Sequence, residues 1–327
     1  KVEIIANPSA RYDAEGEAGI INIVLKEEKD LGLNGSVKLQ TGYPNNHGFT
    51  GVLNWNPGKF NFFSSYGFMY RKMPGEREFR QTYTAIDALD TSYSYLTQGE
   101  HFRGGLRHTA RLGVEFKPTD RTTFEISGVL GLRDNSNGNT LVYTDFNDAN
   151  AINTIAQSTR TEDENEEALN WDLNASFDQQ FGNNKDHTLS IEGRYSDSKD
   201  EEAGVFTQLY DTFISTSFAN LYQINTNTEN QVDWLTQADY TLPTGSTGKI
   251  ELGGKATVRI LENSYDVQES SSANGSYTSI PGLKNTFGYD EGVYAAYIQT
   301  NQTYGKFSFN AGLRGEETVI KANLLNT

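Results

Sequence analysis

Residues 169–178 read LNWDLNASFD, and this stretch decides the fold class of the chain. Apolar and polar residues alternate through it without a break. One set of alternate positions holds Leu169, Trp171, Leu173, Ala175 and Phe177. A β-strand directs successive side chains to opposite faces. The stretch therefore predicts a strand with one apolar face and one polar face.

The same alternation recurs along the chain from residue 34 onward. Ala110 to Phe116 and Ile250 to Ile260 show it clearly, and in both segments the second face carries charged residues. Alternating segments begin near residues 34, 47, 60, 105, 122, 168, 187, 230, 249, 291 and 306, which predicts about eleven strands. Strands of about ten residues match a tilted crossing of the hydrocarbon layer.

The connections between these segments alternate in length. Short turns occur at residues 56–58, 117–120, 182–185, 243–246 and 304–306, where Gly, Pro, Asn and Asp supply turn conformations. Long polar segments lie between them at roughly 74–103, 134–167, 198–228 and 262–289, and these are expected to be loops. Short turns on one side and long loops on the other are typical of an outer-membrane barrel. A soluble all-β sandwich is the alternative fold.

Composition excludes several classes of protein. The net charge is −16, which opposes binding to a nucleic-acid backbone because that binding requires Lys and Arg. The chain has no Cys, so disulfide frameworks and thiolate metal sites are excluded. It begins at Lys1 and has no stop signal after Thr327, so we expect a fragment or a processed chain whose remaining strands lie beyond residue 327.

The N-terminal segment carries a family resemblance. Residues 7–26, NPSARYDAEGEAGIINIVLK, resemble the end of the plug domain of TonB-dependent receptors, particularly the large outer-membrane barrel family of Bacteroidota. Residues 307–316, FSFNAGLRGE, are similar to a strand motif of the same barrels, although Gly315 stands where an aromatic residue is usual. The resemblance implies an end of plug domain and linker at 1–33. The first part of an all-β transmembrane antiparallel up-and-down barrel of about 22 strands would occupy 34–327.

The resemblance also implies gated import of a nutrient ligand through a plugged barrel, driven by a TonB-type energy-coupling protein. Outer-membrane lipid and possible envelope subunits such as a surface lipoprotein would be the other partners. Expected ligand-binding residues are Arg11, Tyr12, Asp13, Tyr83, Tyr93, Tyr95, Phe206 and Tyr210. Expected contacts between plug and barrel are Glu15, Glu17, Arg111, Arg133, Arg194 and Arg259. The alternative is a non-transporting outer-membrane barrel that acts as anchor, adhesin or subunit of an envelope complex.

No catalytic or metal-binding motif is present in the sequence. The four histidines are widely spaced, and GxSxG, HExxH and phosphate-binding Gly-rich motifs are absent, so we expect neither an enzyme nor a cofactor. Acidic clusters occur at residues 162–167 and 197–202. Neither has the DxDxDG order of a calcium loop, and solvated charge in an outer loop is the favoured interpretation.

Overall fold

The computed structural model describes residues 2–5, 20–23, 32–84, 92–213, 219–245 and 247–326. Every regular element in these ranges is a strand, and none of them contains a helix able to span a membrane. The strands are β1 Val2–Ile5, β2 Ile20–Ile23, β3 Leu33–Gly42, β4 Asn45–Trp55, β5 Phe60–Tyr83, β6 Tyr93–Thr119, β7 Thr122–Phe146, β8 Thr154–Gln180, β9 Thr188–Phe213, β10 Leu221–Thr244, β11 Gly248–Ser270, β12 Thr278–Tyr304 and β13 Phe307–Asn326.

Eleven strands, β3 to β13, form one antiparallel sheet in which each strand pairs with its neighbours in sequence. This up-and-down order confirms the predicted number of strands and their connectivity. In the described part of the chain, β3 pairs only with β4 and β13 only with β12, so both edges of the sheet are open. Strands β1 and β2 form a separate two-stranded sheet.

The short turns lie where the sequence predicted them. Strands β5, β7, β9, β11 and β13 begin at residues 60, 122, 188, 248 and 307, each within one residue of the expected start. Left-handed glycines occupy four of these turns, with φ of +78° at Gly58, +63° at Gly182, +68° at Gly245 and +60° at Gly305. Glycine adopts this conformation without steric cost, which explains its place there.

The predicted long loops were wrong in extent. Strands continue through most of residues 74–103, 134–167, 198–228 and 262–289, and the connections at that end shrink to 84–92, 147–153, 214–220 and 271–277. The first connection at that end, between β3 and β4, is only Tyr43 and Pro44. These strand segments have polar residues on both faces. A strand with water on both sides shows no alternation of apolar and polar residues, so the sequence pattern did not indicate them.

An apolar band covers one face of the sheet, which we call the outward face. On β7 it runs from Phe124 to Leu132, and on β8 from Phe177 to Leu169, with acidic Asp134 and Glu167 next in line. Ile126 is 57% exposed and Leu313 on β13 is 78% exposed. Nine residues span roughly 30 Å along a strand, which suits a tilted crossing of a bilayer core.

Aromatic residues line the turn-side edge of this band. Phe60, Phe116, Phe124 and Phe177 are successive cross-strand partners on β5 to β8. Their ring centroids lie 4.6, 6.4 and 4.8 Å apart in that order. Aromatic girdles of this kind mark the membrane interface in barrels.

The opposite face, which we call the inward face, is polar. It carries ion pairs between neighbouring strands: Arg194 with Asp172 at 3.0 Å, and Arg259 with Asp233 at 2.9 Å. A lipid-facing outward side and a wet inward side are the two environments of a barrel wall.

Candidate functional site

The candidate site lies on the inward face of the sheet where the strands extend past the apolar band. Strand β7 continues for fourteen residues beyond Leu132, to Phe146. At about 3.3 Å per residue this part reaches roughly 45 Å further along the strand. We call this part of β5 to β12 the outer extension.

Three tyrosines predicted from the sequence lie together at the far end of β5 and β6. Tyr83 and Tyr93 are direct cross-strand partners whose rings stack with centroids 4.4 Å apart. Tyr95 lies beside them, 6.4 Å from the Tyr83 ring and 5.9 Å from the Phe79 ring. We call Phe79, Tyr83, Tyr93 and Tyr95 the aromatic cluster.

Gln81 ties the aromatic cluster together. Its Nε2 donates to the Tyr83 hydroxyl at 2.6 Å, and the Tyr95 hydroxyl donates to its Oε1 at 2.5 Å. Desolvation and the neighbouring Tyr83 raise the pKa of Tyr95 above its ordinary value. Tyr83 and Tyr93 remain 39% and 46% exposed, so their outer ring faces are open to a ligand.

The other predicted aromatic residues occupy a different place on the same face. Phe206 and Tyr210 lie on β9, where the Arg160 guanidinium sits 5.3 Å from the Phe206 ring. Gln208 lies between them and donates to the Ser158 hydroxyl at 3.0 Å. Strands β7 and β8 separate this pair from the aromatic cluster, so the structure forms two aromatic patches and not one.

The two acidic clusters of the sequence meet on adjacent strands. They belong to β8 and β9 and not to loops, which corrects the sequence expectation. Asparagines of β7 donate to the β8 carboxylates: Asn135 to Glu166 at 3.0 Å, Asn137 to Glu164 at 2.9 Å and to Glu166 at 2.8 Å, and Asn139 to Glu162 at 2.8 Å. Nowhere in the described ranges do three or more metal-ligating side chains group as a metal site.

Two of these carboxyls are shifted in opposite directions. Burial raises the pKa of Glu202, and its hydrogen bond with Glu164 and the charges of Glu164 and Glu166 add to the rise. Burial acts in the same sense on Glu166, but hydrogen bonds from Asn135 and other neighbours outweigh it and lower the pKa of that carboxyl. The cluster is therefore a hydrogen-bonded wall in which the pKa of Glu202 is raised and that of Glu166 is lowered.

The four arginines expected to contact a plug all face inward. Arg133 bonds Asp200 at 2.5 Å across the small side chain of Ala168. Arg111 stacks 5.1 Å from the Phe63 ring. Arg194 and Arg259 line a groove of about 490 Å³ between β9 and β13.

The predicted plug-side partners cannot be placed against this wall. Arg11, Tyr12, Asp13, Glu15 and Glu17 lie outside the described residues. The division of the chain at residues 33 and 34 into a plug remnant and a barrel stays a prediction.

A buried polar network on β10 to β12 was not predicted from the sequence. Asp239, Glu251, Tyr297 and Gln299 are all at most 8% exposed on the inward face. Lys249 bonds Glu251 at 2.9 Å. These residues are up to sixty positions apart in sequence, so only the strand register shows that they touch.

Comparison with known proteins agrees with this architecture. Residues 179–327, just under half of the chain, match a family described as "Outer membrane protein beta-barrel family". No curated protein and no solved structure matches the chain. Together, the eleven-stranded antiparallel sheet and the family match establish an outer-membrane β-barrel protein, located in the outer membrane.

Proposed function

We propose that this outer-membrane barrel is a TonB-dependent receptor-transporter, which binds a nutrient ligand from outside and imports it through a plugged pore. The protein then acts by binding and gating and has no catalytic step of its own. The inward face, which is polar and carries charged side chains, is the observation that carries the proposal.

The width of the barrel supports this function. A barrel of eight strands is just wide enough to be filled by its own side chains. Within the described residues this sheet has eleven strands and two open edges. Unpaired backbone groups cannot face lipid, so closure requires further strands. The resulting lumen is too wide for inward side chains to fill, and it suits a removable plug.

The outer extension supports ligand capture. It carries aromatic rings on the inward face, at the end of the barrel opposite the short turns. Short turns face the periplasm in outer-membrane barrels, and the aromatic cluster lies at the opposite end of the strands, which supports ligand capture from outside. Amphipathic tyrosine rings bind many ligands through stacking and hydrogen bonding.

The partners follow from the same proposal. Lipid contacts the apolar band, and an energy-coupling protein of the TonB type acts on the plug from the periplasm. A plug carrying Asp13, Glu15 and Glu17 would find the inward arginines Arg194 and Arg259 as partners of opposite charge.

A second candidate is a non-transporting barrel that anchors or joins an envelope complex. The outward face of the outer extension favours it, because Val205 and Leu209 are 49% and 39% exposed there. A surface lipoprotein or other envelope subunit could cover this part of the sheet.

Uptake by cells distinguishes the two candidates. A strain carrying the intact gene is compared with one lacking it, with and without the energy-coupling protein, for growth on single nutrients supplied at low concentration. Receptor-dependent growth that requires coupling supports transport. Equal growth in all four strains, with the barrel recovered in a stable envelope complex, supports the second candidate.

A further inference from the structure

Five arginines line the inward face of β5 and β6, and together they form what we call the arginine ladder. Its members are Arg71, Arg77, Arg103, Arg107 and Arg111. The inward assignment follows from the register, because Phe116 and Leu112 on β6 lie in the outward apolar band and odd-numbered β6 positions point the other way. Arg71 and Arg77 occupy the matching positions of β5.

These arginines lack acidic neighbours. All five are exposed, and none makes an ion pair with another residue that the structure describes. The inward positions of β5 contain no Asp or Glu, and those of β6 contain only Glu115, which already pairs with Lys117 at 3.0 Å. Such an uncompensated positive surface is unexpected in a chain of net charge −16.

The register also brings like charges together. Arg107 lies directly opposite Arg133 on β7. Arg71 lies opposite Gly105, so Arg103 and Arg107 are its diagonal neighbours at about 7–8 Å. Like charges directly opposite each other, as at Arg107 and Arg133, destabilise a sheet. A counter-charge from outside the described residues would remove that cost.

The ladder leads from the membrane to the aromatic cluster. Arg111 lies level with the apolar band, and Arg77 pairs with Gly99 twelve residues further out. Phe79 and Tyr95 of the aromatic cluster follow directly beyond it. Aromatic rings at the mouth and guanidinium groups below them lie on the same inward face of β5 and β6.

We propose that the arginine ladder binds a solute carrying several carboxylate or phosphate groups, received at the aromatic cluster and drawn toward the pore. The inference rests on the proposed function and names the chemical class of its ligand. Guanidinium groups match carboxylate and phosphate oxygens in bidentate geometry. The carboxylates of β8 and β9 lie on the same inward face and keep the anion on the β5 and β6 side.

Calorimetric titration of the purified full-length protein in detergent tests the ladder. Pyrophosphate and citrate are the probes, so the two titrations separate phosphate from carboxylate ligands. We expect wild type to bind at least one probe, more weakly at higher ionic strength. The double variant R103Q/R107Q should bind it at least about tenfold more weakly, since charge-assisted bonds are lost.

Matched variants separate the ladder from general charge effects. R80Q changes the same charge on the outward face of β5 and should leave the affinity unchanged. R103K/R107K keeps the charge and should retain part of the affinity. Without probe, R103Q/R107Q should melt no lower than wild type, because the variant relieves repulsion.

Three results would overturn the proposal. They are no binding of either probe by wild type, equal losses in R103Q/R107Q and R80Q, or unchanged affinity in R103Q/R107Q together with increased antibiotic leakage. The last result would assign the arginines to the plug. Probe binding in detergent without coupled uptake in cells would support anion binding by the arginine ladder and would contradict the proposed transport function.

Discussion

Tyr297 on β12 donates a hydrogen bond across Gly253 to the Oδ1 atom of Asp239 on β10. A side chain at position 253 would lie 2.6 Å from the Tyr297 ring and 2.7 Å from the Asp239 carboxylate. Glycine at the central strand therefore lets two flanking strands bond directly. Asp239 is 7% exposed and Tyr297 is 8% exposed.

Replacing Tyr297 with Phe should lower the free energy of unfolding by about 1.5–3 kcal/mol, because a buried carboxylate loses a donor. Urea unfolding of the full-length protein, monitored by tryptophan fluorescence, measures the change. Tyr294→Phe is the matched control, since Tyr294 lies on the outward face of the same strand and is 47% exposed. Equal effects of the two substitutions would contradict a specific role for this bond.

The apolar band makes the two faces of β8 differ in their tolerance of charge. Leu173→Lys places an ammonium group among lipid tails and should cost about 2–4 kcal/mol. Ser176→Lys places the same group on the inward face, between Glu125 and Glu192, and should be tolerated. The yield of folded barrel in outer-membrane fractions, judged by heat-modifiable gel migration, compares them. Equal yields would argue against lipid on the outward face.

Glu202 should make the stability of the barrel depend on pH. Burial and the adjacent Glu164 raise its pKa, so the folded state keeps a proton that the unfolded chain releases. Stability from this group therefore falls as pH rises from the ordinary carboxyl pKa through the raised value. Glu202→Gln removes that loss, and its melting temperature should exceed that of wild type at pH 7 and approach it near pH 4.

Glu166 should have the opposite effect to Glu202 on the melting temperature at pH 7. Burial raises the pKa of Glu166, but hydrogen bonds outweigh burial, so the net pKa is lowered. The stabilisation from this carboxylate is therefore present above the ordinary carboxyl pKa and is lost as pH falls through the lowered pKa of the folded state. Glu166→Gln should melt below wild type at pH 7. Glu201→Gln, on the outward face of β9, is the control and should change little. A rise in melting temperature for Glu166→Gln would refute the assigned sign.

The strands could be predicted from the sequence in the segments that carry the apolar band. Lipid requires apolar side chains on one face only, so segments such as 169–178 alternate, and the turns between them stand out. Beyond the apolar band, the segments around Asn135 and Glu166 have polar residues on both faces, so their sequences do not alternate. These two residues nevertheless form a hydrogen bond of 3.0 Å between β7 and β8. Their composition resembles a loop, and only the pairing of β7 with β8 distinguishes strand from loop.

The sequence allowed aromatic residues to be chosen as candidates by type, but it did not show their arrangement. Aromatic side chains at Tyr83 and Tyr93 indicated ligand stacking, yet their contact depends on a register that no local pattern encodes. The arginine ladder was missed for the same reason, since Arg71 and Arg103 are thirty-two positions apart and meet only through the pairing of β5 with β6.

The aromatic cluster should determine ligand capture without supporting the fold. Tyr83 and Tyr93 stack on each other at 4.4 Å and lie at the end of their strands, where few other groups depend on them. The double substitution Tyr83→Ala and Tyr93→Ala should cost about 0.5–1.5 kcal/mol of protein stability, because the stacking between the two rings is lost. It should also weaken ligand binding, because the open ring faces are lost. Growth on the imported nutrient at limiting concentration measures capture, and the amount of barrel in the outer membrane serves as the internal control. Phe206→Ala, at the second aromatic patch on β9, tests whether the effect is specific to β5 and β6. Normal growth of the double variant at unchanged barrel levels would place ligand capture elsewhere on the inward face.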